Sequence, residues 1–291
     1  WNSVNIFVRP TKNGKSNLVY IDPENEYIRL VNKSQTSRGA EDKLIASRVE
    51  SAQFPGDVII IDGHLGENYR ERKIHRNITQ PDLWSGYNLK SFLTQRGVIV
   101  KGEIKTGKAS KDMVVLAEAQ SKPIEQILED MNVWSNNFVA EMLVKNIAAL
   151  HSTPGTLKEG MDIVNDHLKK MELPEKEFHI MNPSGLSREN RLSSYALWKI
   201  LNFLRKNISV QPEFLGSLAI GGLEGTMKSR FVDVKNQGWI RAKTGSLDGV
   251  VSLAGYAGDI DGKVTTFSLI YNGSKAEDKV RAFFDKLIFE F

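Results

Sequence analysis

The chain of 291 residues contains no cysteine, which excludes disulfides, a thiol nucleophile and thiolate metal sites. No stretch approaches the roughly 18–20 apolar residues that a membrane-spanning helix needs. The five histidines, His64, His75, His151, His167 and His179, show neither His-Glu-x-x-His nor another zinc spacing, so no metal and no other cofactor is expected. No dense Lys/Arg tract and no nucleic-acid motif occurs, which argues against nucleic acid as a partner. The Gly221-Gly222 pair is not followed by Gly-Lys-Ser/Thr, and no Gly-x-Ser-x-Gly elbow is present. That leaves Gly221-Gly222 as a turn approaching a site wall rather than a phosphate loop. No lysine has a serine or threonine three positions before it, so the Ser-x-x-Lys pattern that carries some serine nucleophiles is missing too.

What is present is ordinary for a globular chain: 41% hydrophobic and 25% charged residues, enough for a sizeable core in one large or two smaller domains. The net charge of +4 suits an anionic polymer and is equally explained by scattered surface lysines.

The richest segment is Arg241-Ala242-Lys243-Thr244-Gly245-Ser246-Leu247-Asp248-Gly249-Val250-Val251, with Ser135-Asn136-Asn137 lying 108 residues before Lys243. A lysine, a hydroxyl and a glycine in succession suit a strand lining a cleft. The ammonium of Lys243 attracts a carboxylate, the Thr244 hydroxyl hydrogen-bonds it, and Gly245 permits close approach to the backbone. The N–H of Ser246 is placed to supply half of an oxyanion hole. Ser135 both donates and accepts, as relaying a proton to a leaving amine requires, and the Asn137 amide suits orienting a peptide. A second Lys-Thr-Gly, Lys105-Thr106-Gly107, has no apolar run after it and reads as a solvated loop or strand end. The Lys243 copy leads through Asp248-Gly249, a hairpin turn signal, into the alternating, β-prone run Val250–Gly258.

The periodicity predicts short strands at Val4 to Val8, Leu18 to Ile21, Tyr27 to Val31 and Val58 to Ile61. A basic stretch, Arg70 to Arg76, follows, and a domain boundary is placed near 76. Helices are predicted from Asp82 to about Gly97, from Ile124 to Met131 after Pro123, from Phe138 to Leu150, and at Leu157–Met171, Ser194–Lys206 and Ala276–Phe289. In the last, Val280, Phe283, Phe284, Leu287 and Ile288 form a stripe expected to pack on a sheet. Ser135, at the break before the Phe138 helix, is a good N-cap, so capping is its alternative to catalysis.

Five segments in order give the chain a resemblance to the later part of the class C low-molecular-mass penicillin-binding proteins, the D-alanyl-D-alanine carboxypeptidase/endopeptidases of bacterial cell-wall metabolism. They are Trp1-Asn2-Ser3-Val4-Asn5-Ile6-Phe7-Val8-Arg9-Pro10; Ser135-Asn136-Asn137-Phe138-Val139-Ala140-Glu141; Ser184-Gly185-Leu186-Ser187-Arg188-Glu189-Asn190; Gly221-Gly222-Leu223-Glu224-Gly225-Thr226-Met227; and Lys243-Thr244-Gly245-Ser246-Leu247. The resemblance implies an α+β fold, an antiparallel sheet flanked by helices, with residues 1–76 ending a smaller β-rich accessory module and residues 77–291 forming the C-terminal part of the catalytic domain. It implies Ser135, Asn137 and Lys243 as catalytic residues, and Thr244, Gly245, Ser246, Leu247, Ser184 and Leu186 as substrate-binding ones.

The implied partners are peptidoglycan peptides ending in D-Ala-D-Ala and β-lactam antibiotics, in a periplasmic or outer-surface location. Two departures stand out. Asn182-Pro183 replaces the usual Asp-Gly before Ser184, and the Ser-x-x-Lys is absent. The second leads to the expectation that Trp1 is not the natural start and that these 291 residues are inactive alone. The rival readings are a noncatalytic wall-binding homologue and a β-lactamase.

Overall fold

A computed structural model describes residues 3–49, 51, 54–110, 112–233 and 237–290. Trp1 and Asn2, the opening of the first quoted segment, lie outside the described residues. The chain divides into two compact units, Trp1–Ala117 and Glu118–Phe291.

The first unit is β-rich. Strands β1 (Ser3–Arg9), β2 (Leu18–Ile21) and β7 (Arg72–Asn77) form an antiparallel sheet in the order β2-β1-β7. Alternation along β1 buries Val4, Ile6 and Val8 and turns Asn5, Phe7 and Arg9 away, the period of two that a half-buried strand requires. A second sheet is built around β6 (Asp57–Gly66), which pairs parallel with β3 (Ile28–Asn32) and β4 (Gln35–Ser37) and antiparallel with β5 (Asp42–Val49).

The basic stretch Arg70 to Arg76 is thus mostly strand β7, with Ile74 opposite Ile6. Its basic side chains hid the alternation from the sequence reading. Helix α1 (Pro81–Gln95) lays Leu83, Trp84 and Tyr87 on the core formed by Ile6, Tyr27, Ile59 and Ile61. The Tyr27 and Trp84 rings meet edge to face at 5.7 Å. This packing places α1 in the same compact unit as the strands, past 76.

The second unit holds a short antiparallel pair, β8 (Phe178–His179) with β9 (Arg191–Leu192), and a four-stranded antiparallel sheet in the order β10-β11-β12-β13: β10 (Ala219–Ile220), β11 (Ile240–Leu247), β12 (Val250–Gly258) and β13 (Val264–Asn272). Its helices are α2 (Ile124–Val133), α3 (Asn137–Ala149), α4 (Leu157–Lys170), α5 (Ser194–Lys206), α6 (Gln211–Ser217) and α7 (Glu277–Phe289). On one face Val280, Phe284 and Ile288 of α7 pack against Ile240, Ala242, Val251, Leu253 and Phe267. On the other, Leu197, Leu201, Phe214, Leu215 and Leu218 from α5, α6 and the residue after α6 cover Ala254 and Tyr256. The buried Tyr256 hydroxyl donates to the Leu201 carbonyl at 2.7 Å, and burial pushes its pKa up to about 12.

The α+β architecture expected from the sequence is the one observed. Phe283 departs from expectation, being 63% exposed. The 280–284–288 row carries the packing of α7, and Phe283 falls beside it.

Candidate active site

Helix α2 follows Pro123, which has no N–H to leave unsatisfied, and ends at Val133. Two residues on, Ser135 takes a left-handed φ of +54°, a conformation that costs a non-glycine residue roughly 1–2 kcal/mol. The reversal puts Asn136 at the start of α3, where its Oδ1 accepts from the Val139 N–H at 3.2 Å. Asn136 is therefore the cap. Ser135 is not, because its hydroxyl lies one residue too early to reach the first free N–H groups. Behind the turn runs the Gly221–Met227 segment. Gly225 has φ +52°, and a Cβ there would overlap the Val133 carbonyl, so only glycine lets this segment pass so close to the α2–α3 turn.

Strand β11 forms the facing wall. Leu247 and Val250 are paired across the two-residue turn Asp248-Gly249, with Gly249 at φ +72°, so the predicted hairpin is present. The ladder gives β11 a defined polarity. The Trp239 carbonyl accepts from Gly258 on the β12 side, and the Ile240 carbonyl accepts from Gly221 on the β10 side. Since the bonding direction alternates along an antiparallel strand, the N–H and C=O groups of Ala242, Thr244 and Ser246 point away from β12. Among the described residues strand β10 reaches only Arg241 and Ala242, so Thr244 and Ser246 face an open edge.

Lys243 is mostly buried, and its Nζ donates to Ser135 Oγ at 2.7 Å and to the Thr244 carbonyl at 2.8 Å. Burial lowers its pKa from the usual 10.5 to about 8, since a desolvated ammonium is disfavoured against the neutral amine. The structure thus brings Ser135 and Lys243 together across 108 residues. Asn137 follows directly, exposed in the first turn of α3. Gly245 lies against Ser252 of β12, whose Oγ a Cβ at 245 would meet. Ser246 turns its hydroxyl to α7, donating to Glu277 Oε2 at 2.8 Å and accepting from Arg281 Nη2 at 2.9 Å. Leu247, half-buried, ends the strand.

Ser184 is engaged elsewhere, with Glu141 Oε1 at 3.0 Å and Asn182 Oδ1 at 2.6 Å, while Asn182 Nδ2 donates to the same Glu141 oxygen at 2.9 Å. Glu141 lies one turn beyond Asn137 on α3, so this loop is tied to the helix that follows Ser135. At its far end Arg188 Nη2 donates to the Asp248 carbonyl at 2.8 Å, linking the loop to the β11–β12 turn. Leu186, between the two ties, is 55% exposed. Glu141, Arg188, Glu277 and Arg281 were not singled out from the sequence. Each acts through a partner more than 30 residues away, apart from the Glu277–Arg281 pair itself, and such pairings leave no local pattern.

The second Lys-Thr-Gly is different in every respect. Lys105 is exposed beside Glu103 at 3.2 Å, in a stretch with no regular structure.

Residues 1–287 match the D-Ala-D-Ala carboxypeptidase 3 (S13) family, and the chain belongs to that family. A carboxypeptidase DacB of Mycolicibacterium smegmatis is 29% identical over 227 residues, 76% of this chain and 48% of the relative. A D-alanyl-D-alanine carboxypeptidase of Actinomadura sp. (strain R39) is 27% identical over 277 residues, 92% of this chain and 50% of the relative. The chain therefore spans about half the length of these relatives. The fold is also that of penicillin binding protein 4 (dacB) from Haemophilus influenzae, with a TM-score of 0.74 at 20% identity, covering 99% of this chain and 66% of that one. A further structure of that protein is a complex with a novel beta-lactam.

Proposed function

We propose that the whole protein is a serine D-alanyl-D-alanine carboxypeptidase, also an endopeptidase for peptide crosslinks, acting outside the cytoplasm on peptidoglycan stem peptides. The observation that carries this reading is the Lys243–Ser135 contact beside the open edge of β11. Lys243 is the donor in that contact, which leaves the Ser135 O–H free to donate to a third atom. An extended peptide laid along the edge presents its leaving nitrogen there. As the peptide C–N bond breaks and the acyl group passes to the attacking serine, the Ser135 proton passes to the nitrogen of the departing D-alanine and Lys243 restores it, while the Ser246 N–H receives the charge that develops on the carbonyl oxygen. The Lys243 charge holds the terminal carboxylate, and Thr244, whose hydroxyl lies on the α7 face, borders the peptide through its edge-facing backbone. Asn137 orients the peptide, and Leu186 and Ser184 border it.

The attacking serine belongs to a Ser-x-x-Lys that residues 1–291 do not contain. It forms an acyl-enzyme that water hydrolyses, and β-lactams acylate the same serine. The first unit is the end of a β-rich accessory module, extended past 76 by α1, and the second is the later part of the catalytic domain. The missing Ser-x-x-Lys favours one second reading, a noncatalytic cell-wall-binding homologue. One experiment separates the two: D-alanine release from an N-acyl-D-Ala-D-Ala peptide by the full gene product. Release that stops in Lys243→Ala supports the enzyme, and no release from the unaltered protein supports the binding homologue.

A further inference from the structure

The Ser246 hydroxyl is spent on the side of the sheet away from Lys243. Alternation along β11 places Ala242, Thr244 and Ser246 on the α7 face and Lys243, Gly245 and Leu247 on the other. A hydroxyl carries a single proton, and this one goes to Glu277 Oε2, while Arg281 Nη2 donates to its oxygen. Arg281 closes the triangle on Glu277 at 2.5 Å and extends to Asp278 at 3.1 Å. What Ser246 offers along the open edge is its backbone.

That backbone has a positioning problem. A strand inside a sheet is held by ladders on both sides, but among the described residues β11 beyond Ala242 has β12 on one side only. An oxyanion donor is effective when it is held within a fraction of an ångström, and a 1 Å misplacement costs about 100-fold in rate. Helix α7 is itself fixed, because Val280, Phe284 and Ile288 are buried in the core. A clamp from its first two turns to Ser246 supplies the missing restraint.

We propose that Glu277 and Arg281 are positioning residues, holding Ser246 so that its N–H stays at the point where charge develops on the acyl oxygen. The proposal rests on the carboxypeptidase reading for the identity of that oxygen. Both side chains are about one-third exposed, Arg281 at 36% and Glu277 at 33%, so their ion pair contributes little to overall stability and its loss leaves the fold intact.

Two measurements test it. In the full gene product, Arg281→Met and Ser246→Ala should each lower kcat for D-alanine release about 10- to 100-fold with KM little changed. The double variant should be no worse than either single one, and Arg281→Lys should recover part of the loss. A rise in KM with kcat unchanged, or additive losses in the double variant, would mean direct substrate contact and overturn the proposal.

In the full gene product, the backbone order parameter of Ser246 should fall from near 0.85 to below about 0.6 in Arg281→Met, with Leu253 unchanged. An unchanged value overturns the clamp, with or without catalysis. A parent protein that releases no D-alanine, or a Lys243→Ala variant that still does, counts against the carboxypeptidase reading and leaves the clamp to the second measurement.

Discussion

The ammonium of Lys243 lies 2.7 Å from the hydroxyl of Ser135, and among the described residues no carboxylate forms an ion pair with it. A buried cation with only a hydroxyl and a carbonyl for company is held less firmly to its proton than one on the surface, which is why its pKa falls to about 8. The same burial that makes Lys243 able to give a proton near neutral pH also strains the fold that contains it.

The first consequence is a pH limb. Below pH 8 Lys243 is charged, able to attract a carboxylate and to restore the proton of Ser135; above it the charge is lost. D-alanine release by the full gene product should therefore fall as pH rises through about 8. A pH profile of kcat/KM checks this, and in Lys243→Arg the limb should move to higher pH or vanish.

Stability runs the other way. The folded-state pKa of Lys243 lies below the 10.5 of the unfolded chain, so between about pH 8 and 10.5 the unfolded state binds more protons and folding is favoured as pH rises. The cost of keeping the charge buried is on the order of 3 kcal/mol below pH 8, at 1.36 kcal/mol per unit, and is relieved above 10.5. Lys243→Met should be no less stable than the parent at pH 7, and its denaturant midpoint should lose the rise between pH 8 and 10.5.

Capping gives a clean separation from catalysis. Asn136→Ala should cost about 0.5–2 kcal/mol, because the Val139 N–H loses its acceptor. Ser135→Ala should cost less in stability, since Ser135 caps nothing. Urea midpoints of the two variants decide the matter.

Much of the fold was legible in the sequence. The limits of α5 (Ser194–Lys206) and the Asp248-Gly249 hairpin were read directly, because periodicity and turn chemistry are local. Strand β7 was not, since Arg72, Lys73, His75 and Arg76 mask its single inward Ile74. Helix α6 was not either, being seven residues long. The Ser135–Lys243 pair emerged from motif order. The Asn136 cap did not, as serine and asparagine cap about equally well and only the φ of +54° at Ser135 decides between them. Glu141 and Arg281 were beyond reach, because a carboxylate and a guanidinium on helix surfaces look the same whether or not they hold a site together.

The two Lys-Thr-Gly copies should respond oppositely to a single methyl group. A Cβ at Gly107 has nothing within 4 Å, whereas one at Gly245 meets Ser252 Oγ of the paired strand β12, on the face of the sheet that carries Lys243. Gly107→Ala and Lys105→Ala should leave D-alanine release nearly unchanged, and Gly245→Ala should impair it. Because the Ser252 hydroxyl can rotate away, the melting temperature of Gly245→Ala should shift little.

The most direct test of the Ser135–Lys243 relay is D-alanine release by Ser135→Gly in the full gene product, measured together with its denaturant midpoint. Glycine accepts the left-handed φ that serine holds under strain, so the variant should be at least as stable as the parent. Losing a positioned proton relay should cost roughly 10²–10⁴-fold in rate. A stable variant with that loss is the predicted result. Near-normal release from a stable Ser135→Gly protein would contradict the relay.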